Sequence, residues 1–129
     1  MLKLTYTETY TYLEHLTQTP EQLVSIRVML AMRIGQTIVV EPSSAAFLLP
    51  QNLPTLPMLE DAIQQVDAET IALSIADEET LEVSLAGTWI TVDPEEENGI
   101  FITRLSDRTE YLLAKLWNEA YAGASVIGD

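Results

Sequence analysis

Between Ile34 and Thr103 the chain holds no lysine, arginine or histidine but thirteen acidic residues, running from Glu41 to Glu97. The flanks, 1–33 and 104–129, hold seven acids against six bases and are nearly neutral, so the middle supplies almost all of the net charge of -14. The acids are clustered: Asp77, Glu78 and Glu79 form one group and Glu95, Glu96 and Glu97 another. The segments between them are rich in Ile, Leu and Val, which leaves apolar runs to build an interior and places the carboxylates in polar turns. An apolar content of 47% fits a folded chain, since disorder needs low hydrophobicity together with high charge. Charge segregated in this way gives part of the surface a strong negative potential, which steers basic partners and repels nucleic acid and anionic membranes. Adaptation to high salt would have spread acids over the flanks as well.

At 129 residues the chain is read as one domain, 1–129, large enough to bury a core. It has no cysteine, so disulfides, thiolate metal sites and cysteine nucleophiles are excluded. The first residues carry no apolar signal-peptide core. Pro42 to Leu59 is uncharged and of transmembrane length, but Pro42, Pro50, Pro54 and Pro57 forbid a continuous helix in lipid. The expected location is cytoplasmic.

Periodicity predicts an α+β domain. Residues 4–13 alternate, with Leu4, Tyr6, Tyr10 and Tyr12 on one face and threonines on the other, as in an N-terminal strand that Glu8 interrupts. Thr19-Pro20-Glu21-Gln22 opens a helix over 20–34 with a capping box, and Gly35 offers its left-handed stop. That helix is apolar nearly all round: Leu23, Ile26, Leu30 and Ile34 lie on one side, Val28, Met29 and Met32 on the other. It is therefore expected to be covered on two sides, within the domain or at a subunit contact. Gln36–Val40 reads as a short strand. Residues 42–57, with four prolines, read as a packed crossover containing one helical turn at 43–49. A short helix follows over 57–66, with Leu59, Ala62, Ile63 and Val66 at helical spacing.

From about 70 to 104 the pattern predicts an antiparallel four-strand meander. Its strands are 71–75, 81–85, 88–92 and 99–104, with turns at 77–80, at Ala86-Gly87 and at 93–98. A C-terminal amphipathic helix over 107–122 is opened by Asp107 with Glu110 closing a capping box. Gly123 ends it, and the helix lies across the sheet.

Reaction machinery is scarce, and the chain is read as non-catalytic because no motif argues otherwise. His15 reads as a solvated loop residue, no Gly-x-Ser-x-Gly elbow exists, and five scattered glycines make no phosphate loop. No catalytic residue, cofactor or metal ligand is assigned. Asp93 to Gly99 echoes a calcium loop but lacks its glycine and its twelfth-position glutamate. Arg27 lies within the apolar arc of the first helix and must be paired or reach a polar edge. An internal bridge to Glu41, Glu60 or another acid is one reading; anion binding or a subunit contact, with Arg33, is the other. A buried, unpaired Arg27 lining a cavity would favour a small-molecule binder.

The leading functional expectation is a non-catalytic interaction or regulatory protein. It binds a basic partner through the acidic 41–97 region, with Asp77, Glu78, Glu79, Glu82, Asp93, Glu95, Glu96 and Glu97 as the surface. The alternatives are a structural homo-oligomer, a dimer above all, and an anion or small-molecule binder using Arg27. Neither nucleic acid nor a membrane is an expected partner.

Overall fold

The computed structural model describes residues 1–121 and 126–127, with only the backbone at Val66 and at 126–127. The elements run β1 (Leu2–Tyr6), β2 (Thr11–His15), α1 (Pro20–Arg33), β3 (Val39–Pro50), α2 (Leu56–Ala62), a π-helical turn (Ile63–Asp67), β4 (Ile71–Ile75), β5 (Thr80–Thr91), β6 (Gly99–Thr103), α3 (Asp107–Ala120) and β7 (Val126–Ile127). They form a single α+β domain: six antiparallel strands in one sheet, with the two-residue β7 added parallel to β2.

The strand order is β3-β5-β6-β1-β2-β7. The twelve-residue β5 is the spine, paired along its whole length with β3. Its other edge is shared by β4, opposite 81–85, and β6, opposite 88–90. The sheet curls enough that Tyr6 of β1 and Ala46 of β3, three strands apart, line the same cleft.

Strand alternation divides the apolar side chains between two faces. Leu2, Leu4, Leu13, Leu81, Val83, Leu85 and Phe101 face α2 and α3 and build the main core with Leu59, Leu112, Leu113 and Leu116. Ile90, Ile100 and Ile102 face the other way, onto Leu23 and Val24 of α1. The domain thus has three layers, but α1 covers only part of its face. Ser44, Ala46 and Leu48 of β3 and Ala72 and Ser74 of β4 remain exposed there.

Several sequence expectations are corrected in detail. Residues 42–50 form no crossover with a helical turn; they continue β3. Pro42 and Pro50 are tolerated because β3 is an edge strand, where a missing N–H breaks no ladder bond. Ala86-Gly87 is no turn, and the two strands expected around it are the single β5. Conversely, residues 4–13 are a hairpin rather than one strand. Thr7 turns the chain: its hydroxyl donates to the Tyr10 carbonyl at 2.7 Å and accepts the Tyr10 amide at 3.0 Å. Glu8 therefore sits in a turn and interrupts no face.

The α1 signals hold. Thr19 and Gln22 exchange both bonds of the capping box, and Gly35 adopts φ +74°. The cap of α3 is Ser106, one residue before the expected Asp107, and Glu110 is buried and takes no part in it. The expected stop at Gly123 and the Val66 side chain lie outside the described residues. Among the described residues no helix is long and apolar enough to cross a membrane.

Candidate functional site

Arg27 sits in the middle of α1, where the helix runs over Ile90 and Ile100. Its side chain is half-buried and makes no ion pair or hydrogen bond among the described residues. The expected bridges to Glu41 and Glu60 do not form. Glu41 is exposed on β3, and Glu60 belongs to α2, which packs on the opposite face of the sheet.

Arg27 instead lines a cleft of about 310 Å³ between α1, the end of β1 and the β5–β6 hairpin. Ile38, Ile90 and Ile100 give this cleft apolar walls; Thr5, Tyr6, Glu96 and Asn98 contribute polar groups. The Thr5 hydroxyl is buried without a hydrogen-bond partner among the described residues. The hairpin wall is held by Thr91, whose hydroxyl bridges the carbonyls of Asp93 and Asn98 at 3.0 Å each.

Tyr6 joins this cleft to two more. It packs edge-on against Trp89, ring centroids 5.5 Å apart, and burial raises its phenol pKa. Beyond it lie a cleft of about 360 Å³, lined by Trp89, Phe101 and Glu97, and one of about 290 Å³, lined by Phe47, Trp117 and Tyr121. Trp117 meets Phe47 edge-on and Tyr121 at a tilt, while its Nε1 is buried without a partner among the described residues. The Tyr121 hydroxyl donates to the Leu48 carbonyl at 2.5 Å, which ties the end of α3 to β3.

The outer side of α1 is the other notable surface. Val28, Met29 and Met32, on the side away from the domain, are exposed, Met32 at 73%; Ile26, Leu30 and the C-cap Ile34, expected on the covered face, are exposed as well, Ile34 at 69%, because the sheet buries only Leu23 and Ala31. Arg33 is exposed in the last turn of α1, where a cation favourably meets the negative end of the helix dipole.

The acidic residues do not converge. Asp77, Glu78 and Glu79 lie before β5 and Asp93, Glu95, Glu96 and Glu97 after it. The two groups are separated by twelve strand residues, about 40 Å at a rise of about 3.3 Å each. Two of the acids build turns. Asp77 accepts the amides of Glu79 and Thr80 at 2.8 Å each, which holds its carboxyl below the usual range, and Asp93 accepts the Glu95 amide at 3.0 Å. Glu82 is half-buried on β5, on the face turned away from the main core.

Two further ionisable groups escape sequence reasoning. Asp67 ends the π-helical turn and binds Ser106 at the start of α3. Glu110, 1% exposed, meets the amino group of Met1, and its Oε1 lies 3.2 Å from His15 Nε2. His15 is thus no free loop residue; it closes β2, and its side chain is 33% exposed. The signal for Glu110 was its spacing, since it shares a helical line with Leu113 and Trp117 on the apolar side of α3. Elsewhere on the surface, Arg104 pairs with Glu21 at 2.9 Å and Arg108 donates to Gln65 at 3.2 Å.

Fold and clefts together define a small α+β domain with a curled sheet, helices on both faces and one uncovered helix side. The chain belongs to the family described as Alr0857-like, which it matches over residues 1–121, every element but β7. No curated protein and no solved structure matches it.

Proposed function

We propose that this chain is a non-catalytic interaction protein: it pairs with a second copy through the outer side of α1 and leaves its acidic turns free for a basic partner. The observation that carries this reading is the set of six exposed large apolar side chains, five on α1 and the sixth, Ile34, at its C-cap. Extensive exposed apolar surface marks a protein interface. A second copy is favoured by charge. Residues 22–40 contain no acid, so at net charge -14 this is where two copies approach with least repulsion. A two-fold axis on the helix would set the apolar side against itself.

The basic-partner element draws on Glu78, Glu79, Glu95, Glu96 and Glu97, which are exposed and form no ion pair among the described residues. Because β5 holds them apart, they act as two separate acidic patches. A cytoplasmic setting fits the lack of cysteine.

Light scattering coupled to gel filtration, over rising protein concentration and at low and high salt, tests the reading. A dimer that persists in high salt is expected, because apolar contacts are not screened. A monomer at every concentration overturns the self-association. Binding to a basic partner, by contrast, should weaken as salt rises, and a partner held equally well in high salt overturns the acidic element.

A further inference from the structure

We infer that the Arg27 cleft is a binding site for a small organic monocarboxylate with an apolar body. The inference is independent of self-association, because it rests on the inner edge of α1 and not on its outer side.

Two polar groups without a partner among the described residues belong to the lining of this cleft. The Arg27 guanidinium carries five N–H donors and has no described partner, although a half-buried cation without a counter-charge is costly. Thr5 belongs to the same lining, and its hydroxyl is buried behind it without a partner among the described residues. A guanidinium with no described partner, set over apolar walls, points to a ligand that supplies an acceptor. A carboxylate matches the planar guanidinium fork with two parallel bonds.

The rest of the ligand is set by the other walls. Ile38, Ile90 and Ile100 offer only apolar contact, and a volume of about 310 Å³ accommodates a ring or short chain. Charge decides against a phosphate monoester, which is close to a dianion at neutral pH. Glu96 stands in the same lining and the chain carries -14, so each added negative charge is opposed by the field around Arg27, the one cation lining the cleft among the described residues. One negative charge on an apolar body fits best.

The probe is 3-phenylpropionate, added to the full ¹⁵N-labelled chain and followed by NMR shifts. Perturbations are expected at Thr5, Ile38, Asn98, Gly99 and the Arg27 Nε–H. Arg27→Gln should weaken binding at least about tenfold, the loss typical of a charge-assisted hydrogen bond. Arg27→Lys, which keeps the charge without the fork, should fall between. Glu96→Gln should tighten binding about two- to threefold by removing an exposed like charge. 3-Phenylpropan-1-ol and phenyl phosphate should both bind more weakly than the carboxylate. Arg27→Gln is expected to fold, since the guanidinium has no described partner to lose; should it unfold, Arg27→Lys and Glu96→Gln carry the test. The inference is overturned if the alcohol binds as tightly as the acid, if Arg27→Gln keeps full affinity, or if no shifts appear at millimolar probe. Shifts confined to the outer side of α1, and abolished by Met32→Lys, overturn it too and assign the binding to the apolar patch.

Discussion

The Asp67 carboxylate accepts the Ser106 hydroxyl at 2.6 Å and the Ser106 amide at 3.2 Å, so the residue that caps α3 is itself held from the π-helical turn. Burial alone would raise the Asp67 pKa. The bonds from the Ser106 and Thr109 side chains and the Ser106 amide outweigh it and hold the carboxyl below its ordinary range. A negative charge at the positive end of the α3 dipole acts in the same direction. With the folded pKa lowered, the stabilisation is fully present above the unfolded value near 3.9 and is lost as pH falls through the folded value. Asp67→Asn should cost about 1–2 kcal/mol at pH 7, as for other lost caps. Urea unfolding from pH 7 to pH 3 should show the gap to wild type closing below about pH 4. A gap that stays constant across that range would mean the charge contributes nothing.

Glu110 is a different kind of acid. It is buried beneath the Met1 amino group and His15, whose shares in holding it are unequal. The amino group is as buried as the carboxylate, whereas His15 reaches solvent. Breaking a buried ion pair by removing one partner costs about 3–5 kcal/mol, so Glu110→Gln should be among the most destabilising changes in the chain. His15→Gln, at a partly exposed position, should cost about 1 kcal/mol or less. Equal losses in chemical unfolding would show that His15, and not the amino group, holds the carboxylate.

Two glycines separate by mechanism. At Gly87 an added Cβ would stand 2.7 Å from Phe101 Cζ and press into the Ile102 carbonyl, because β6 crosses β5 closely there. Gly87→Ala should cost about 1–3 kcal/mol through overpacking. At Gly35 a Cβ would meet nothing within 4 Å, but φ is +74°. Gly35→Ala should cost about 1 kcal/mol through backbone strain alone, and Gly35→Asn less, since asparagine tolerates the left-handed region. Thermal melts of the three variants check the ranking; a tolerated Gly87→Ala would mean β5 can shift away from β6.

These glycines also show where the sequence was legible. Gly35 is legible because its role is local, a stop after a capped, periodic helix. Gly87 looked like a turn between two alternating runs, and only the approach of Phe101 from β6 reveals why a strand needs glycine there. The same division runs through the chain. The α1 capping box, the turns at Asp77 and Asp93 and the amphipathic α3 are all encoded within a few residues. The prolines of 42–50 suggested an irregular crossover because the sequence does not say that β3 is an edge. Arg27 was conspicuous on the helical wheel, but its lack of a partner depends on which face of the sheet each acid occupies. Asp67 and Ser106 are 39 residues apart, and no short-range pattern joins them.

The outer side of α1 gives the sharpest test of how this chain works. Met32 is 73% exposed in the isolated chain, so Met32→Lys removes little packing and should change the monomer's stability by no more than about 0.5 kcal/mol. At a self-contact the same lysine would bury an unpaired charge, which is strongly unfavourable. Wild-type melting temperature should therefore rise with protein concentration, because association stabilises the folded state by mass action, while the variant's should not. Ala31→Lys supplies the contrast: Ala31 is buried against the domain, so that charge should destabilise the monomer itself at any concentration. If Met32→Lys keeps the wild-type mass and concentration dependence, the uncovered side of α1 is not the contact between copies. The apolar strip would then be left for a partner of another kind.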